Sequence, residues 1–267
     1  MKKIILIVVI LCLFSAYIVY GNFSITTTKI TVKSEALPSS FKGYKIVHIS
    51  DLHNSEFGDD SRMLLSLIRK ANPDIIVITG DIVDSRRTDI DTAEDFIEDA
   101  LKIAPVYYST GNHESRIKNF SHMEKEFIEE GVVVLRNEAQ YISKGNDNIL
   151  IIGVDDPSFK GENIKETINS LKDENTFNLL LSHRPELFET YESEGIELTL
   201  SGHAHGGQFR IPFIGGLYAP NQGFFPEYTS GLHTSNNSNL VVSRGLGNSL
   251  FPFRFNNKPE ILVITLE

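Results

Sequence analysis

The sequence predicts one large α/β domain behind an N-terminal apolar segment, and three observations predict it. A chain of 267 residues that is 41% hydrophobic can bury a full core. Its first half alternates short apolar runs with helix-period segments, and its second half is richer in strands. Short clusters of histidine, aspartate and glycine recur where the apolar runs end. The formal net charge of -10, with a pI of about 5.3, argues against a broad basic face, so no duplex nucleic acid is expected as a partner. Acidity does not exclude a phosphate substrate, because bound cations can dominate a local field. The single cysteine, Cys12, lies in the N-terminal apolar run, which excludes an internal disulfide and a cysteine-rich zinc module.

The chain starts with Met1-Lys2-Lys3, and Ile4 to Tyr20 is uncharged and nearly all apolar. As a helix that run spans roughly 25 Å, slightly short of the ~30 Å hydrocarbon core, and Gly21, Asn22 and Phe23 can extend it. It is longer than a usual signal-peptide core, no A-x-A-like site follows, and Leu11 before Cys12 fits a lipoprotein cleavage site poorly. Residues 1–23 are therefore expected to be an uncleaved single-pass anchor in the cell membrane. Lys2 and Lys3 favour a cytoplasmic N-terminus, which places the remainder outside the cytoplasm. Residues 24–43 read as a spacer holding a short edge strand, and residues 44–267 as the globular domain.

Lys45 to Ser50 is a strand leading into Asp51-Leu52-His53. Arg62 to Asn72 is an amphipathic helix, stopped by Pro73. Asp74 to Thr79 is a continuous apolar strand that delivers Gly80-Asp81. A helix from about Thr92 to Ile103 precedes Pro105 to Tyr108, the strand before Gly111-Asn112-His113-Glu114. Gly111 lets the backbone turn tightly where a side chain would obstruct it. Ser121 and Glu124 suggest a capping box for a helix that Gly131 closes. Val132 to Leu135, Tyr141-Ile142 and Ile149 to Val154 read as strands, Asp155-Asp156-Pro157 as a turn, and Ile164 to Leu171 as a helix. Asn178 to Leu181 runs into Ser182-His183, and Pro185 starts the next helix. Glu197 to Leu200 leads to Ser201-Gly202-His203-Ala204-His205-Gly206-Gly207. Leu240 to Val242 and Ile261 to Leu266 are the last strands, separated in part by Ser243-Arg244-Gly245-Leu246-Gly247.

Asp51, His53, Asp81, Asn112, His113, His183, His203 and His205 thus all come after apolar strands, whose ends gather along one edge of an α/β sheet. Singly, Asp-Leu-His reads as a turn aspartate beside a surface histidine, and Gly-Asp as a common turn. In this order, carboxylate and imidazole form a donor set for manganese, iron, cobalt or zinc. The two-residue spacing of Asp51 and His53, repeated by His203 and His205, lets each pair point to one side of an extended backbone.

The series Asp51-x-His53, Gly80-Asp81, Gly111-Asn112-His113-Glu114, His183 and Gly202-His203-x-His205 resembles the calcineurin-like metallophosphoesterase superfamily. Pro73-Asp74, Ser182-His183-Arg184-Pro185, the Ser201-to-Gln208 stretch and Ser243-to-Gly247 resemble its membrane-associated bacterial phosphoesterase branch. The likeness covers about residues 44 to 267. It implies a two-sheet α/β/β/α sandwich and a dinuclear centre with two divalent metal ions, manganese first. One ion is implied at Asp51, His53, Asp81 and His205, and the other at Asp81, Asn112, His183 and His203, with Asp81 bridging. His113 is implied as the catalytic residue beside the pair, with Glu114, where many relatives carry Asp, orienting it or its loop. The implied reaction is hydrolysis of a phosphoric ester by a bridging hydroxide. The membrane anchor makes a lipid headgroup or other envelope phosphodiester the expected substrate; a nucleotidase or nuclease is the alternative, and a non-catalytic metal-binding scaffold a third. No Gly-x-Ser-x-Gly elbow supports a serine hydrolase.

Asn54, Arg184 and Arg244 neighbour these motifs and are candidate substrate-binding residues, each arginine against a structural ion pair. His48 reads as a packed histidine, and His122 and His233 as surface residues. The aromatics Phe213, Tyr218, Phe224, Phe225, Tyr228, Phe251, Phe253 and Phe255 read mostly as core, with any exposed members forming an apolar lip.

Overall fold

The computed structural model describes residues 1–161, 163–248 and 251–267. In chain order its elements are α1 (Lys2–Phe23), β1 (Thr26–Val32), β2 (Lys45–Ile49), α2 (Arg62–Ala71), β3 (Ile75–Thr79), α3 (Ile90–Leu101), β4 (Val106–Ser109), α4 (Phe120–Glu130), β5 (Val133–Val134), β6 (Glu138–Lys144) and β7 (Asp147–Gly153). Next come α5 (Ile164–Leu171), β8 (Asn178–Leu181), α6 (Phe188–Ser193), β9 (Leu198–Ser201), the two-residue strands β10 (Arg210–Ile211), β11 (Gly215–Gly216), β12 (Tyr218–Ala219) and β13 (Gly223–Phe224), then β14 (Gly231–Ser235), β15 (Ser238–Val242) and β16 (Glu260–Leu266).

Two six-stranded sheets, ordered β1-β16-β2-β3-β4-β5 and β14-β15-β9-β8-β7-β6, pack face to face. Strands buried on both faces read as unbroken apolar runs, and β3 (Ile-Ile-Val-Ile-Thr) and β8 (Asn-Leu-Leu-Leu) are wholly buried. Val77, Ile151, Leu179, Leu200 and Leu262 meet between the sheets. The outer face of the first sheet carries α2, α3 and α4 through Leu64, Ile68, Phe96, Ile97, Met123 and Phe127. The outer face of the second carries α5 and α6 through Ile164, Ile168, Phe188 and Tyr191. The architecture is the expected α/β/β/α sandwich. β2, β3 and β4 are parallel, as are β7, β8, β9 and β15, so their carboxyl ends align within each sheet.

Several expectations need correction. Residues 24–43 hold the expected edge strand, but the stretch is part of the domain and not a spacer. β1 pairs in parallel with β16 along its whole length, from Thr26↔Glu260 to Val32↔Leu266, and Val32, Leu37 and Phe41 enter the inter-sheet core. The capping box at Ser121 does not form: α4 starts at Phe120, and Glu124 is drawn away by Arg136 at 3.2 Å. The helix starting near Thr92 starts instead at Ile90, because the Asp89 side chain accepts from the Thr92 N–H. Of the aromatics read mostly as core, Phe213, Phe224, Phe225, Tyr218, Phe251, Phe253 and Phe255 are exposed, lying on short hairpins and loops outside both sheets.

Helix α1 is apolar, 22 residues long and exposed along its length, with a mean hydropathy of 2.8 over its best window. By length and composition it is able to cross a membrane. Its C-terminal end touches the domain. Asn22 Nδ2 donates to Arg254 O at 3.0 Å, and Asn22 Oδ1 accepts from Arg254 N at 2.7 Å.

Candidate metal centre and active site

Five parallel strands deliver the site. β2 ends into Asp51 and His53, β3 into Asp81, β4 into Asn112 and His113, β8 into His183, and β9 into His203 and His205. The backbone turns sharply there: Asp51, His53, Asp81, His203 and His205 all have positive φ, between 46° and 65°. Such conformations are strained for non-glycine residues and persist only where surrounding structure enforces them. Here the loops are tied together. His53 N donates to Asp81 O at 3.0 Å, Asp51 N to Gly80 O at 3.1 Å, and the Asp51 carboxylate accepts from His203 N at 3.1 Å. Gly111 has the role expected of it, since a Cβ there would lie 2.3 Å from Asp81 Oδ1.

All seven expected ligand side chains are buried and converge. They fall into two groups, Asp51–His53–His205 and Asp81–His183–His203, with the donor atoms inside each group within 4.8 Å of one another. Asp81 faces both: its Oδ2 lies 3.7 Å from His53 Nε2 and 3.2 Å from His183 Nε2. Asn112 Oδ1 is buried without a protein partner.

The donors are oriented as ligands. His183 Nδ1 donates to Thr79 O at 2.7 Å, which leaves Nε2 directed at Asp81. Asn221 Oδ1 accepts from His203 Nε2 at 2.9 Å, which leaves His203 Nδ1 facing His183. His53 Nε2 and His205 Nε2 stand 3.3 Å apart. Burial pushes both imidazoles down to about 3, so both are neutral. Burial likewise lowers His203 to about 3. Burial opposes a charged His183, but the Asp81 and Asp51 carboxylates outweigh it and raise it to about 10. Burial also opposes ionisation of Asp81, and His183 and His53 still hold its carboxyl well below the usual range. Three neutral imidazoles, a His183 whose proton a cation at Asp81 would displace, two carboxylates and an orphaned amide oxygen are the donor set of a divalent transition metal. The residues present fit the implied ions.

His113 packs edge-on against the His53 ring, with centroids 4.6 Å apart. The Ser85 N–H donates to its Nδ1 at 3.0 Å, so the neutral ring keeps its proton on Nε2. Glu114 does not touch that ring. Its carboxylate accepts from Asp81 N at 2.9 Å, Ile82 N at 3.0 Å and Gly111 N at 2.7 Å, and so fixes the loops that carry the ligands. A cavity of about 370 Å³ opens over Asp81, Asn112, His113, His203 and His205. Ser85, Arg86, Arg116, Arg184 and Asn221 also line it.

The three substrate-binding candidates separate. Arg184 reaches the cavity: Asp156 grips its guanidinium through Nε at 2.5 Å and Nη2 at 2.8 Å, while Nη1 donates to Asn221 Oδ1 at 2.6 Å beside His203. Arg244 does not line it. It pairs instead with Glu260 at 2.5 Å, a structural ion pair. Asn54 is also spent on structure, its amide accepting from Asp84 N at 3.2 Å and donating to Arg87 O. His48 is a packed histidine, bonded to Thr79 Oγ1 at 2.8 Å and lowered to about 3 by burial.

Sequence reasoning missed Ser85, Asn221, the positioning role of Asp156, and Asp84, whose Oδ1 lies 3.5 Å from His113 Nδ1. Asp84 and Ser85 lie close enough to Asp81 in the chain that their proximity to the site was inferable. Asn221 arrives from the hairpin region and carries no local signal.

A model of the calcineurin-like phosphoesterase family matches residues 44–207. An uncharacterized metallophosphoesterase of Bacillus subtilis (strain 168), YkuE, is 33% identical over 249 residues, covering 91% of this chain and 86% of that protein. The phosphodiesterase YaeI of Escherichia coli (strain K12) is 29% identical, covering 84% of this chain and 82% of its own. Among solved structures, TT1561 of Thermus thermophilus shares the fold at a TM-score of 0.53 with 12% identity, covering 76% of this chain and 90% of that one.

Proposed function

The chain belongs to the calcineurin-like phosphoesterase family and is a metal-dependent phosphoester hydrolase, and from that premise we propose that it hydrolyses a phosphodiester at the cell envelope with two divalent cations. The convergence of Asp51, His53, Asp81, Asn112, His183, His203 and His205 carries this reading. Asp51, His53, Asp81 and His205 would hold one ion, and Asp81, Asn112, His183 and His203 the other, with Asp81 shared. Manganese suits this mixed nitrogen and oxygen set. When bound, such a pair supplies Lewis acidity to the phosphoryl oxygens and makes a water between the ions a strong nucleophile at neutral pH.

The chain's own residues do the rest. Thr79 O and Asn221 Oδ1 fix the tautomers of His183 and His203, so their lone pairs face the centre. Glu114 keeps Asp81 and Asn112 in register by holding Asp81, Ile82 and Gly111. His113, its Nδ1 occupied by Ser85, turns its Nε2–H toward the cavity, where it can donate a hydrogen bond to the departing oxygen. Arg184, pre-set by Asp156, offers a guanidinium to a non-bridging phosphoryl oxygen.

YaeI is named a phosphodiesterase, which supports a diester over a monoester. The span-length α1 supports a single-pass membrane location, and Lys2 and Lys3 support a domain outside the cytoplasm. The test is hydrolysis of bis-(p-nitrophenyl) phosphate by the full chain in detergent with added manganese, followed by an envelope phosphodiester and nucleotide panel. Manganese-dependent turnover of the diester and of an envelope substrate is expected. Good turnover of nucleotides with none of any envelope phosphodiester would reject the substrate reading. Degradation of the domain by protease added outside intact cells is expected; protection there would reject the orientation.

A further inference from the structure

Helix α1 and the loop ending at Lys258 touch along a line that reaches well up the helix. Phe255 packs against Tyr17 with centroids 5.9 Å apart and against Phe14 at 6.4 Å. Lys258 lies over the Tyr20 ring at 4.1 Å, and Asn22 clamps the Arg254 backbone through two hydrogen bonds. Only Ser24 and Ile25 separate α1 from β1, so the domain cannot stand off on a tether.

Those contacts fix a depth. Twenty-two helical residues span roughly 33 Å, against a hydrocarbon core of ~30 Å, so nearly all of a spanning α1 lies in the core. Tyr17 and Phe14 then sit roughly 9 and 13 Å from the end of the helix at Phe23. Phe255 shares their level, whatever the tilt. Its neighbours match such a level: Phe251 and Phe253 are exposed, and Phe209 stacks on both at 5.5 and 5.4 Å. The β10–β11 hairpin is bridged to Phe255 through Phe209, and its turn bears the fully exposed Phe213 and the exposed Ile214. Lys258 on Tyr20, a few ångströms from the helix end, has the place of a cation at the headgroup boundary.

Beside this loop, between the end of α1 and the metal centre, lies a second cavity of about 580 Å³. Asn22, Phe23 and Pro252 form its outer side, Phe57 and Arg87 flank it, and His53 lies at its inner side.

Resting on the proposed membrane anchorage, we infer that the loop bearing Phe251, Phe253 and Phe255 is itself seated in the bilayer beside α1. The cavity leading to His53 then opens at the headgroup layer, and it takes the phosphodiester of an amphiphile whose tails stay in the membrane. Phe23 and Pro252 on the outer side accommodate the start of the tails, and Arg87, exposed on the flank, faces the anionic headgroup, with Arg86 beside it outweighing the single carboxylate of Glu56. Lateral entry of this kind needs no extraction of the lipid into water.

The chain has no tryptophan, so single tryptophans report their own surroundings. Full-length Phe253→Trp, Phe213→Trp, Val9→Trp and Tyr141→Trp proteins are reconstituted into phosphatidylcholine–phosphatidylglycerol vesicles, with and without bromine on the acyl chains. Tyr141 is exposed on β6, an edge strand of the second sheet. Brominated chains are expected to quench Val9→Trp, Phe253→Trp and Phe213→Trp, and to leave Tyr141→Trp unchanged. Quenching at Val9→Trp with none at Phe253→Trp and Phe213→Trp overturns the seat while leaving the anchor. No quenching at Val9→Trp overturns both.

A second arm compares hydrolysis of bis-(p-nitrophenyl) phosphate in solution with that of phosphatidyl-p-nitrophenol in vesicles. Replacing Phe251, Phe253 and Phe255 together by serine is expected to slow the vesicle reaction about tenfold or more, through lost apolar contact with the bilayer, and to leave the soluble one unchanged. Equal rates on vesicles would overturn the inference. Absence of soluble diesterase activity in the unmutated chain would sink the proposed function and leave the quenching result standing.

Discussion

Glu114→Ala is the most informative single change outside the ligands. Glu114 is fully buried, and its two oxygens accept three backbone N–H bonds, from Asp81, Ile82 and Gly111, at 2.7–3.0 Å. Burial and the nearby Asp81 push its carboxyl up to about 7, while the backbone donors pull it back down, so above that pH the loops hold an anion against its desolvation cost. A hydrogen bond to a charged group contributes about 1.5–3 kcal/mol, and an orphaned buried donor costs about 1–3 kcal/mol. Three such bonds sum to roughly 4–9 kcal/mol, and release of the buried carboxylate offsets part of that. The expected loss is about 3–5 kcal/mol, a large share of the ~5–15 kcal/mol that holds a domain folded. Glu114→Gln keeps one oxygen, which can serve the two donors now on Oε2, and turns an NH₂ toward the Ile82 N–H; its expected loss is about 1–3 kcal/mol. Urea unfolding of the full chain in detergent, without metal and then with manganese, reads both. Manganese stabilises only a chain that still forms its site, so the shift it produces should shrink from wild type to Gln to Ala. A Glu114→Ala protein within about 0.5 kcal/mol of wild type and fully stabilised by manganese would show that these three bonds do not hold the ligand loops.

Other changes have distinct signatures. His113→Ala should lower kcat by ~10²–10⁴-fold with metal content unchanged; steady-state kinetics beside elemental analysis checks this. Gly111→Ala puts a Cβ 2.3 Å from Asp81 Oδ1 and 2.6 Å from Asp81 N, so Asp81 must move. Turnover should fall by ~10²-fold with weakened metal retention, measured by the same two assays. Arg244→Ala removes the Glu260 pair and should cost about 1.5–3 kcal/mol in urea unfolding, with KM for the diester unchanged.

The ligands were legible because each comes directly after a strand buried on both faces. A run such as Ile75 to Thr79 has to be interior, and the residues after it have to emerge at the sheet edge. The supporting contacts were not legible, because they join loops far apart in the chain. The bonds of Ser85 to His113 and Asp156 to Arg184 arise only when neighbouring strands of one sheet pair, and that of Asn221 to His203 only when the late hairpins fold back over β9. Arg244 and Asn54 show the converse: adjacency to a motif made them candidate substrate contacts, and the backbone turned them toward Glu260 and Asp84. In residues 24–43 the alternating threonines gave away an edge strand, but not that it belongs to the domain rather than to a spacer. That alternation is the pattern of an edge strand with one face against the sheet, and the parallel partner β16 lies at the far end of the chain. The late aromatics were misplaced because hydrophobicity alone does not separate a core residue from one on an exposed loop.

Whether two cations share Asp81 is decided by elemental analysis of the full chain purified in nonionic detergent, wild type beside Asp81→Asn. Two divalent transition-metal ions per wild-type chain are expected, with both lost from most Asp81→Asn chains and with hydrolysis that chelation abolishes and manganese restores. An Asp81→Asn protein that keeps two ions, or a wild-type chain that hydrolyses diesters at full rate with none bound, would rule the shared centre out.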